Sequence, residues 1–344
     1  MGINKINDYL KKKVPNAYTK KSIHDFANQK IAFDVSILMN KYMNYALRVM
    51  VNKTNILEED IDRHELVRIW ICAMIKALGT WLSYKILPVL VFDGTANSIK
   101  NTELNKRKES KKLKREKIAS LTEQIRADPL TNAGLIKDLN QALMNCIEIY
   151  PEDKLLFKNV AESIGIPCLT ATAEAEQLCA MLCHDGYTSA CYSIDSDLLA
   201  YLCPLIINKI SDEMLVDEDG YQDLQFECIE VKIILEELQL TKEMFIDWCI
   251  MCGCDYNSHI KGLGSERCYK LIQKYKSIDD LVIKQDTLCL NHLECRNAFT
   301  KIDAEQLVAD GDLHNLKMKP YDTIYSEYTK AQSYNIKLYY KDLQ

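Results

Sequence analysis

The chain has 344 residues, of which 48% are hydrophobic and 27% charged, and its formal net charge is −6. This length fits one large domain or two small ones. The composition supports a hydrophobic core and excludes chain-wide disorder, collagen-like repeats and a disulfide-rich miniprotein. The N-terminus has no apolar signal segment, and the longest apolar stretch, 69–82, is interrupted by Lys76 and is too short to span a bilayer. We therefore expect an intracellular protein of the nucleus or cytoplasm, not a secreted one.

Short apolar runs alternate with long helical patterns along the chain. In chain order the pattern predicts a strand ending at Asp34, helices at 36–49 and 62–84, a strand ending at Asp93, a charged helical pair at 98–146 with a break near 128–129, helices at 152–164 and 174–184, a strand at 190–195, and an almost entirely helical region from Ile229 onward. Buried strands separated by helices are typical of an α/β fold with a mostly parallel central sheet and helices on both faces. The functional site of such a sheet lies at the carboxyl ends of its strands.

The first half of the charged helical pair is strongly basic, although the chain as a whole is acidic. Its basic residues are Lys100, Lys106, Arg107, Lys108, Lys111, Lys112, Lys114, Arg115 and Lys117. Only three glutamates lie among them, so this segment has a net charge of +6 and the rest of the chain −12. The total charge taken alone argues against a nucleic-acid-binding protein, but this separation of charge is more informative. The segment is either a solvated surface helix or a projecting element that contacts phosphate.

Seven acidic residues lie at strand ends, just before helices or in a turn. They are Asp34, Asp93, Glu174, Glu176, Asp195, Asp197 and Asp255. In an extended chain, the spacing of two within the pairs 174/176 and 195/197 would place both side chains on one face. Asp255 follows a helix break at Gly253–Cys254.

Two interpretations of these acids compete. Any one of them could simply cap a helix and complement its dipole. Seven carboxylates in one pocket would repel one another unless some were protonated, paired or bound to cations. Their oxygens suit Mg²⁺ or Mn²⁺ rather than zinc, and a pair of such ions is the usual device for phosphodiester cleavage. Because two spaced pairs and two strand-end aspartates occur together, we favour a two-metal site.

The stretch 253–268 has the pattern of a helix–hairpin–helix. Glycines 262 and 264 allow a tight turn with the backbone close to a ligand, and the N–H groups at the start of the next helix can bind a phosphate. The nearby basic residues are Lys261, Arg267, Lys270 and Lys274. We expect this element to bind nucleic acid without base specificity.

Fourteen cysteines in a chain without a secretory signal indicate a reducing compartment. Cys249, Cys252 and Cys254 form the densest group, and Cys179, Cys183 and His184 lie in an apolar helical pattern. A structural zinc site usually needs a second pair of ligands at a suitable spacing. We therefore interpret these cysteines as buried free thiols.

The order and spacing of these motifs resemble the flap endonuclease family of structure-specific 5′ nucleases (XPG/Rad2-type superfamily). The resemblance runs from Met1 to about Lys317, and the matching stretches are IAFDVS, VLVFDG, IKNTELNKRKE, IGIPCLTATAEAE, SIDSDLLAY and GCDYNSHIKGLGSERCYKLIQKYKSIDDLV. It implies a PIN-like nuclease core, a helical arch and a C-terminal helix–hairpin–helix region. The implied segments are 1–96 and 147–252 for the core, 97–146 for the arch, 253–318 for the hairpin region and 319–344 for a terminal segment.

The resemblance also implies roles for particular residues. The seven acids correspond to ligands of two Mg²⁺ ions, for which Mn²⁺ can substitute, and a monovalent cation at the hairpin is an open further expectation. Lys100 and Arg107 correspond to the pair that contacts the scissile phosphate, and their spacing of seven places them on one helix face. Gly2 corresponds to the N-terminal residue near the site. The implied DNA contacts are Gly2, Lys100, Arg107, Lys261, Gly262, Gly264, Arg267 and Lys270.

Some positions depart from the family. Asn40 stands where many members have a tyrosine that stacks on a base, and Tyr42 and Tyr45 do not share its helix face. Near the C-terminus, Ile336, Tyr339 and Tyr340 resemble a sliding-clamp peptide, with Ser333 in place of the usual Gln. We favour a packed terminal segment there and leave clamp binding open.

The predicted function is Mg²⁺-dependent cleavage of branched DNA at the base of a 5′ flap, in replication and repair, by a monomer. A 5′–3′ exonuclease or a junction-resolving nuclease of the same superfamily is the nearest alternative. A non-catalytic DNA-binding scaffold and a metal-dependent phosphatase of small molecules are alternatives from other classes.

Overall fold

The structure is a computed structural model. It describes residues 2–3, 5–53, 61–95, 101–127, 133–144, 148–210, 215–216, 222–260, 262–281, 288–300, 302–313 and 316, but not the side chains of 101–108, 133, 144, 210, 215–216, 222–223 and 288.

Helices make up most of the described chain. They are α1 (Ile6–Lys13), α2 (Val35–Lys53), α3 (Arg63–Ser83), α4 (Asn101–Ala127), α5 (Ala133–Met144), α6 (Pro151–Ser163), α7 (Ala175–His184), α8 (Asp197–Ala200), α9 (Val231–Leu238), α10 (Lys242–Cys252), α11 (Ser265–Tyr275), α12 (His292–Phe299) and α13 (Ala304–Leu307). The strands are β1 (Tyr18–Ser22), β2 (Lys30–Asp34), β3 (Leu87–Phe92), β4 (Cys168–Ala171), β5 (Ala190–Tyr192), β6 (Leu205–Ile210), β7 (Leu215–Val216), β8 (Gln222–Asp223), β9 (Gln225–Glu230) and β10 (Val308–Asp310).

Eight of these strands form one sheet in the order β1-β9-β6-β5-β2-β3-β4-β10. The five inner strands from β6 to β4 pair in parallel, whereas β9, β1 and β10 pair antiparallel at the two sides. β3 shows why the inner strands form, since all six of its residues are buried and it lies between two other strands. The predicted α/β class with a mostly parallel sheet is confirmed.

The prediction missed part of the sheet. The antiparallel side strands were not predicted, because strands as short as three to six residues give weak periodic signals. Among the described residues, the region after β9 contains helices and one three-residue strand, β10, which pairs with β4. There the backbone N–H of Thr172 donates to the carbonyl of Leu307 at 2.7 Å.

The chain divides into two compact units. Unit 1 comprises Met1–Val35, Trp81–Lys100 and Ile166–Thr323, and unit 2 comprises Ser36–Thr80, Asn101–Gly165 and Ile324–Gln344. Unit 1 contains the eight-stranded sheet, with α7 buried along almost its whole length. The five sequence segments given above remain a prediction.

Unit 2 contains the basic helix α4, which pairs with α5. Four buried apolar residues join the two helices, namely Leu121, Ile125, Leu139 and Ala142. The preceding stretch, 109–117, is exposed on all faces. Within it, Lys111 and Arg115 form ion pairs with Glu148 at 3.2 and 3.0 Å. The described part of the basic segment, 109–117, is therefore solvated, and two of its cations are balanced by one acid.

Helix α3 is long and strongly apolar. By length and composition alone it could cross a membrane, which differs from the sequence-based expectation that the apolar stretch is too short. Just over half of that stretch is buried inside the protein, and Trp70 donates its indole N–H to the carbonyl of Met39 at 3.0 Å. A core helix passes the same test of length and composition.

Candidate active site

Aspartates from two neighbouring strands meet at the carboxyl edge of the sheet. Asp34 is the last residue of β2, and Asp195 follows β5 by three residues; both are buried. Ser193 lies between them, since its hydroxyl donates to Oδ2 of Asp34 at 3.1 Å and accepts the N–H of Asp195 at 3.1 Å. Oδ1 of Asp195 then accepts the N–H of Asp197 at 3.0 Å. These hydrogen bonds hold the aspartates in one buried cluster.

A second group of carboxylates lies at the ends of β3 and β4. One carboxylate oxygen from each of Asp93, Glu174 and Glu176 lies within 4.8 Å of the others. Asp93 also accepts the N–H of Ala175, the first residue of α7, at 3.1 Å. The positive end of the helix dipole therefore offsets part of the negative charge at this point.

The spacing of two predicts that the carboxylates of each pair lie close together, and the structure shows this for Glu174 and Glu176. Asp197 begins α8, and Glu174 caps α7 while Glu176 lies in its first turn. Glu174 is still extended, with φ −90° and ψ 134°, whereas Glu176 and Asp197 are helical, so each pair spans the start of a helix and does not lie along one strand. Glu174 and Glu176 therefore come together at a strand-to-helix turn, as the N-cap and the first turn of α7.

Asp255 is linked to this region through its neighbour in sequence. The hydroxyl of Tyr256 lies 2.8 Å from that of Tyr201, and both rings pack against Phe299. Burial raises the pKa of Tyr201 well above its usual value, and the neighbouring hydroxyl of Tyr256 and the carboxylates of Asp197 and Glu176 add to the rise. Tyr201 is therefore a neutral phenol beside the acids, and its hydrogen bond holds the turn that contains Asp255.

Gly2 lies directly against the aspartate cluster. It adopts a φ of +80°, and a Cβ at this position would collide with Oδ1 of Asp195 and Oγ of Ser196. The hydroxyl of Ser196 also donates to the carbonyl of Ile3 at 3.3 Å. The start of the chain thus packs on the 195–197 turn, and only glycine fits there.

The hairpin between α10 and α11 has the predicted tight turn. Gly262 adopts a φ of +82°, whereas Gly264 has an ordinary φ of −89° and caps α11, so only the first needs glycine for its conformation. Arg267 donates to the carbonyl of Gly262 at 3.2 Å, and Lys270 pairs with Glu266 at 2.9 Å.

Asn257, which was not predicted, fixes the turn that contains Asp255. Its amide donates to the carbonyls of Ile250 and Leu290 at 2.8 and 2.9 Å, while its oxygen accepts the N–H of Cys254 at 2.9 Å. An asparagine two residues after Asp255, in a polar turn, was the signal available.

Cys249, Cys252 and Cys254 are buried free thiols, as predicted.

Several predicted residues cannot be placed. Outside the described residues are Lys100, Lys261, Ile336, Tyr339 and Tyr340, and of Arg107 only the helical backbone is described. Asn40 is described, and its amide donates to the carbonyl of Ser36 at 2.8 Å within its own helix. The roles of all these residues remain predictions.

The donors of the acidic cluster fit hard divalent cations. Asp93, Glu174 and Glu176 offer only carboxylate oxygens, and each is at least partly accessible. Oxygen ligands of this kind suit Mg²⁺ or Mn²⁺. Among the described residues, no cysteine or histidine belongs to a group of this kind.

Two family models match the chain. The XPG N-terminal domain matches residues 1–114, and the XPG I-region matches residues 165–255. Flap endonuclease 1-2 of Paramecium tetraurelia is 30% identical over 287 residues, which cover 82% of this chain and 67% of that protein. This chain belongs to the XPG/Rad2-type flap endonuclease family.

Flap endonuclease 1 of Cryptosporidium muris is 29% identical over 310 residues, which cover 87% of this chain and 62% of that protein. The chain thus spans less than two thirds of that relative. Among solved structures, the catalytic core of Rad2 in complex with DNA substrate has a TM-score of 0.56 and 16% identity, and the match covers 96% of this chain and 99% of that one. The flap endonuclease family fold predicted from sequence is therefore confirmed.

Proposed function

We propose that this chain hydrolyses DNA phosphodiester bonds at the junction between a single-stranded 5′ flap and a duplex, in replication and repair. The observation that carries the proposal is the cluster of Asp93, Glu174 and Glu176 at the carboxyl edge of the sheet. Membership of the flap endonuclease family supports the same activity. The product expected from the family resemblance carries a 5′-phosphate.

The seven acids are proposed to hold two Mg²⁺ ions, for which Mn²⁺ can substitute. The chemistry supplied by the bound ions is Lewis-acid activation of water and neutralisation of charge on the phosphate and the leaving oxygen. The chain itself orients the carboxylates: the N-terminus of α7 holds Asp93, and the Ser193 hydroxyl holds Asp34 and Asp195.

The hairpin is proposed to bind the sugar–phosphate backbone of the DNA duplex. The exposed turn at Gly262–Gly264 and the basic residues Arg267 and Lys270 support a contact with phosphates rather than bases. Such binding should weaken steeply with salt, because each neutralised phosphate releases counterions. Lys100 and Arg107 are proposed to contact the scissile phosphate from α4 and the segment before it.

Two further proposals concern partners and location. We propose a monomer that binds branched DNA, with a sliding clamp at Ile336, Tyr339 and Tyr340 left open as a further partner. A nuclear or cytoplasmic location is supported by the cysteines, since every one that the structure describes is a free thiol.

The test is cleavage of an end-labelled double-flap DNA with Mg²⁺. We expect one cut at the flap base, lost on addition of EDTA and in Asp195→Ala, which should still bind the flap. Asp280→Ala, an exposed acid of unit 1, is the matched control and should cut normally. Metal-independent DNA binding without any cut would favour the non-catalytic DNA-binding scaffold. Phosphatase activity that does not change when DNA is added would favour the metal-dependent phosphatase of small molecules.

A comparison of substrates separates the related nucleases. Preference for the double flap over a gapped duplex and a four-way junction supports the flap endonuclease. Preference for the gapped duplex would support the exonuclease, and preference for the four-way junction would support the junction-resolving enzyme.

A further inference from the structure

Ser193 occupies a special position in the sheet. In the parallel pair of β2 and β5, Phe33 lies opposite Tyr192, so the next residues along, Asp34 and Ser193, come side by side at the carboxyl edge. The backbone N–H of Ser193 also donates to the carbonyl of Ile207 in β6 at 3.2 Å. The backbone of the serine is therefore fixed by the sheet on the side away from Asp34.

Its hydroxyl has a defined direction. One lone pair accepts the N–H of Asp195 at 3.1 Å, and the single proton points to Oδ2 of Asp34 at 3.1 Å. Ser193 is 0% exposed and Asp34 is 1% exposed. A hydroxyl group removed here could not be replaced by bulk water, so both hydrogen bonds would be lost.

We propose that Ser193 is a positioning residue that sets the geometry of Asp34 and Asp195 for binding divalent cations. This inference rests on the proposed function, because it takes both aspartates as metal ligands. Oδ2 of Asp34 is held by the hydroxyl, which fixes the plane of the carboxylate and the direction of its other oxygen. The same hydroxyl anchors the backbone of Asp195, and with it the turn that leads to Asp197.

The role predicts a specific loss. Partners that orient a metal ligand typically contribute 10- to 100-fold in metal affinity when removed. Ser193→Ala should therefore weaken Mn²⁺ binding by about 10- to 100-fold. Ser193→Thr keeps the hydroxyl and should restore binding to within about threefold of the wild type, a margin well below that loss.

The matched control is another buried hydroxyl group near the same strand. Thr188 is 5% exposed, precedes β5 and lies with its Oγ1 3.2 Å from Sγ of Cys183, away from the acids. Thr188→Val removes this hydroxyl at nearly constant volume. It should leave Mn²⁺ affinity unchanged even if it lowers the melting temperature.

The experiment titrates Mn²⁺ into the full chain without DNA, with free Mn²⁺ followed by electron paramagnetic resonance and folding checked by circular dichroism. Wild-type affinity in a folded Ser193→Ala, or an equal loss in Thr188→Val, would overturn the inference while leaving the proposed function intact. A wild type that binds no Mn²⁺ would overturn both. If Ser193→Ala does not fold, Ser193→Cys, a weaker donor, should show an intermediate affinity, and wild-type affinity in it would count against the role.

A second readout separates metal binding from the chemical step. In cleavage of the flap DNA, Ser193→Ala should need more Mg²⁺ for half-maximal rate and should recover most of its kcat at saturating Mg²⁺. An equal loss of kcat at every Mg²⁺ concentration would contradict a positioning role.

Discussion

The backbone of Gly2 lies against the Oδ1 atom of Asp195, so closely that no side chain fits between them. Gly2→Ala must therefore displace the turn of Asp195, and it also strains a φ of +80°. We expect kcat for flap cleavage to fall about 100-fold, since small displacements of reacting groups cost rates of this order. Steady-state kinetics on the flap DNA measures this kcat for Gly2→Ala and for the wild type. Gly134→Ala, where no atom lies within 4 Å of the added Cβ, should keep the wild-type rate.

Asp93 offers a way to separate charge from hydrogen bonding. Asp93→Asn keeps an oxygen that can accept the N–H of Ala175 but loses the negative charge needed to bind a cation. We expect cleavage to fall at least about 100-fold while the denaturation midpoint stays near that of the wild type. Asp93→Ala should lose both activity and some stability. Near-normal cleavage by Asp93→Asn would remove this carboxylate from the proposed site.

Lys100 and Arg107 are predicted to act on the transition state. Lys100→Ala and Arg107→Ala should each lower kcat much more than flap affinity, because their contact with the scissile phosphate strengthens as charge develops there. Single-turnover rates and equilibrium binding measure the two quantities separately. Lys112→Ala, at an exposed position of α4, is the control and should change kcat little. Equal losses in rate and affinity would indicate a simple binding role.

The two hairpin glycines should respond differently to the same change. Gly262→Ala forces an alanine into the left-handed region at a φ of +82°, which costs about 1–2 kcal/mol. Gly264→Ala meets an ordinary φ of −89° and open space, so its cost should stay below about 1 kcal/mol. Urea denaturation of the two variants tests this order. The reverse order would show that the turn has a different conformation.

Arg296 should be important for stability outside the proposed site. It binds the carboxylate of the buried Asp247 through two hydrogen bonds of 2.7 and 2.6 Å, and that of Asp279 through another of 2.6 Å. Arg296→Ala leaves Asp247 buried without this cation, which should cost about 3–5 kcal/mol. Lys232→Ala, which breaks an exposed ion pair with Glu236, should cost under about 1 kcal/mol. Urea denaturation at pH 7 compares them.

The contribution of the Arg296–Asp279 ion pair to stability depends on pH in a definite direction. The hydrogen bond from Arg296, opposed by partial desolvation and helped by His292, lowers the pKa of Asp279 below its usual 3.8. A carboxyl group whose pKa is lower in the folded state contributes stability above its unfolded-state pKa. This contribution is lost as the pH falls through the folded-state pKa. The difference in stability between wild type and Arg296→Ala should therefore shrink below about pH 4. A difference that grows in acid would contradict this assignment.

The helices and central strands were predictable because their periodic patterns are long or strongly apolar. The predicted helix 62–84 is observed as Arg63–Ser83, and the charged pair is observed as α4 and α5, whereas the break predicted near 128–129 lies outside the described residues. The side strand β1 was not predictable in the same way. Its residues Tyr18–Ser22 are mostly half-exposed and polar, and only pairing with β9 makes them a strand.

The candidate site divides along the same line. The carboxylates were recognisable as a set, because two spaced pairs and two strand-end aspartates occur together in one chain. Ser193, Tyr201 and Asn257 were not, because a serine, a tyrosine and an asparagine have many ordinary uses. Their partners, Asp34, Tyr256 and the carbonyl of Leu290, lie 159, 55 and 33 residues away in sequence.

The sequence by itself determined the family, the α/β class and the set of acids at the strand ends, since these depend on residue type, spacing and local periodicity. Only the tertiary structure decided which acids meet, and how. The group of Asp93, Glu174 and Glu176 forms because β3 and β4 are neighbours in the sheet, and Asp34 meets Asp195 because β2 lies beside β5. Strand order is set by packing of the whole core, and no local stretch of sequence contains it.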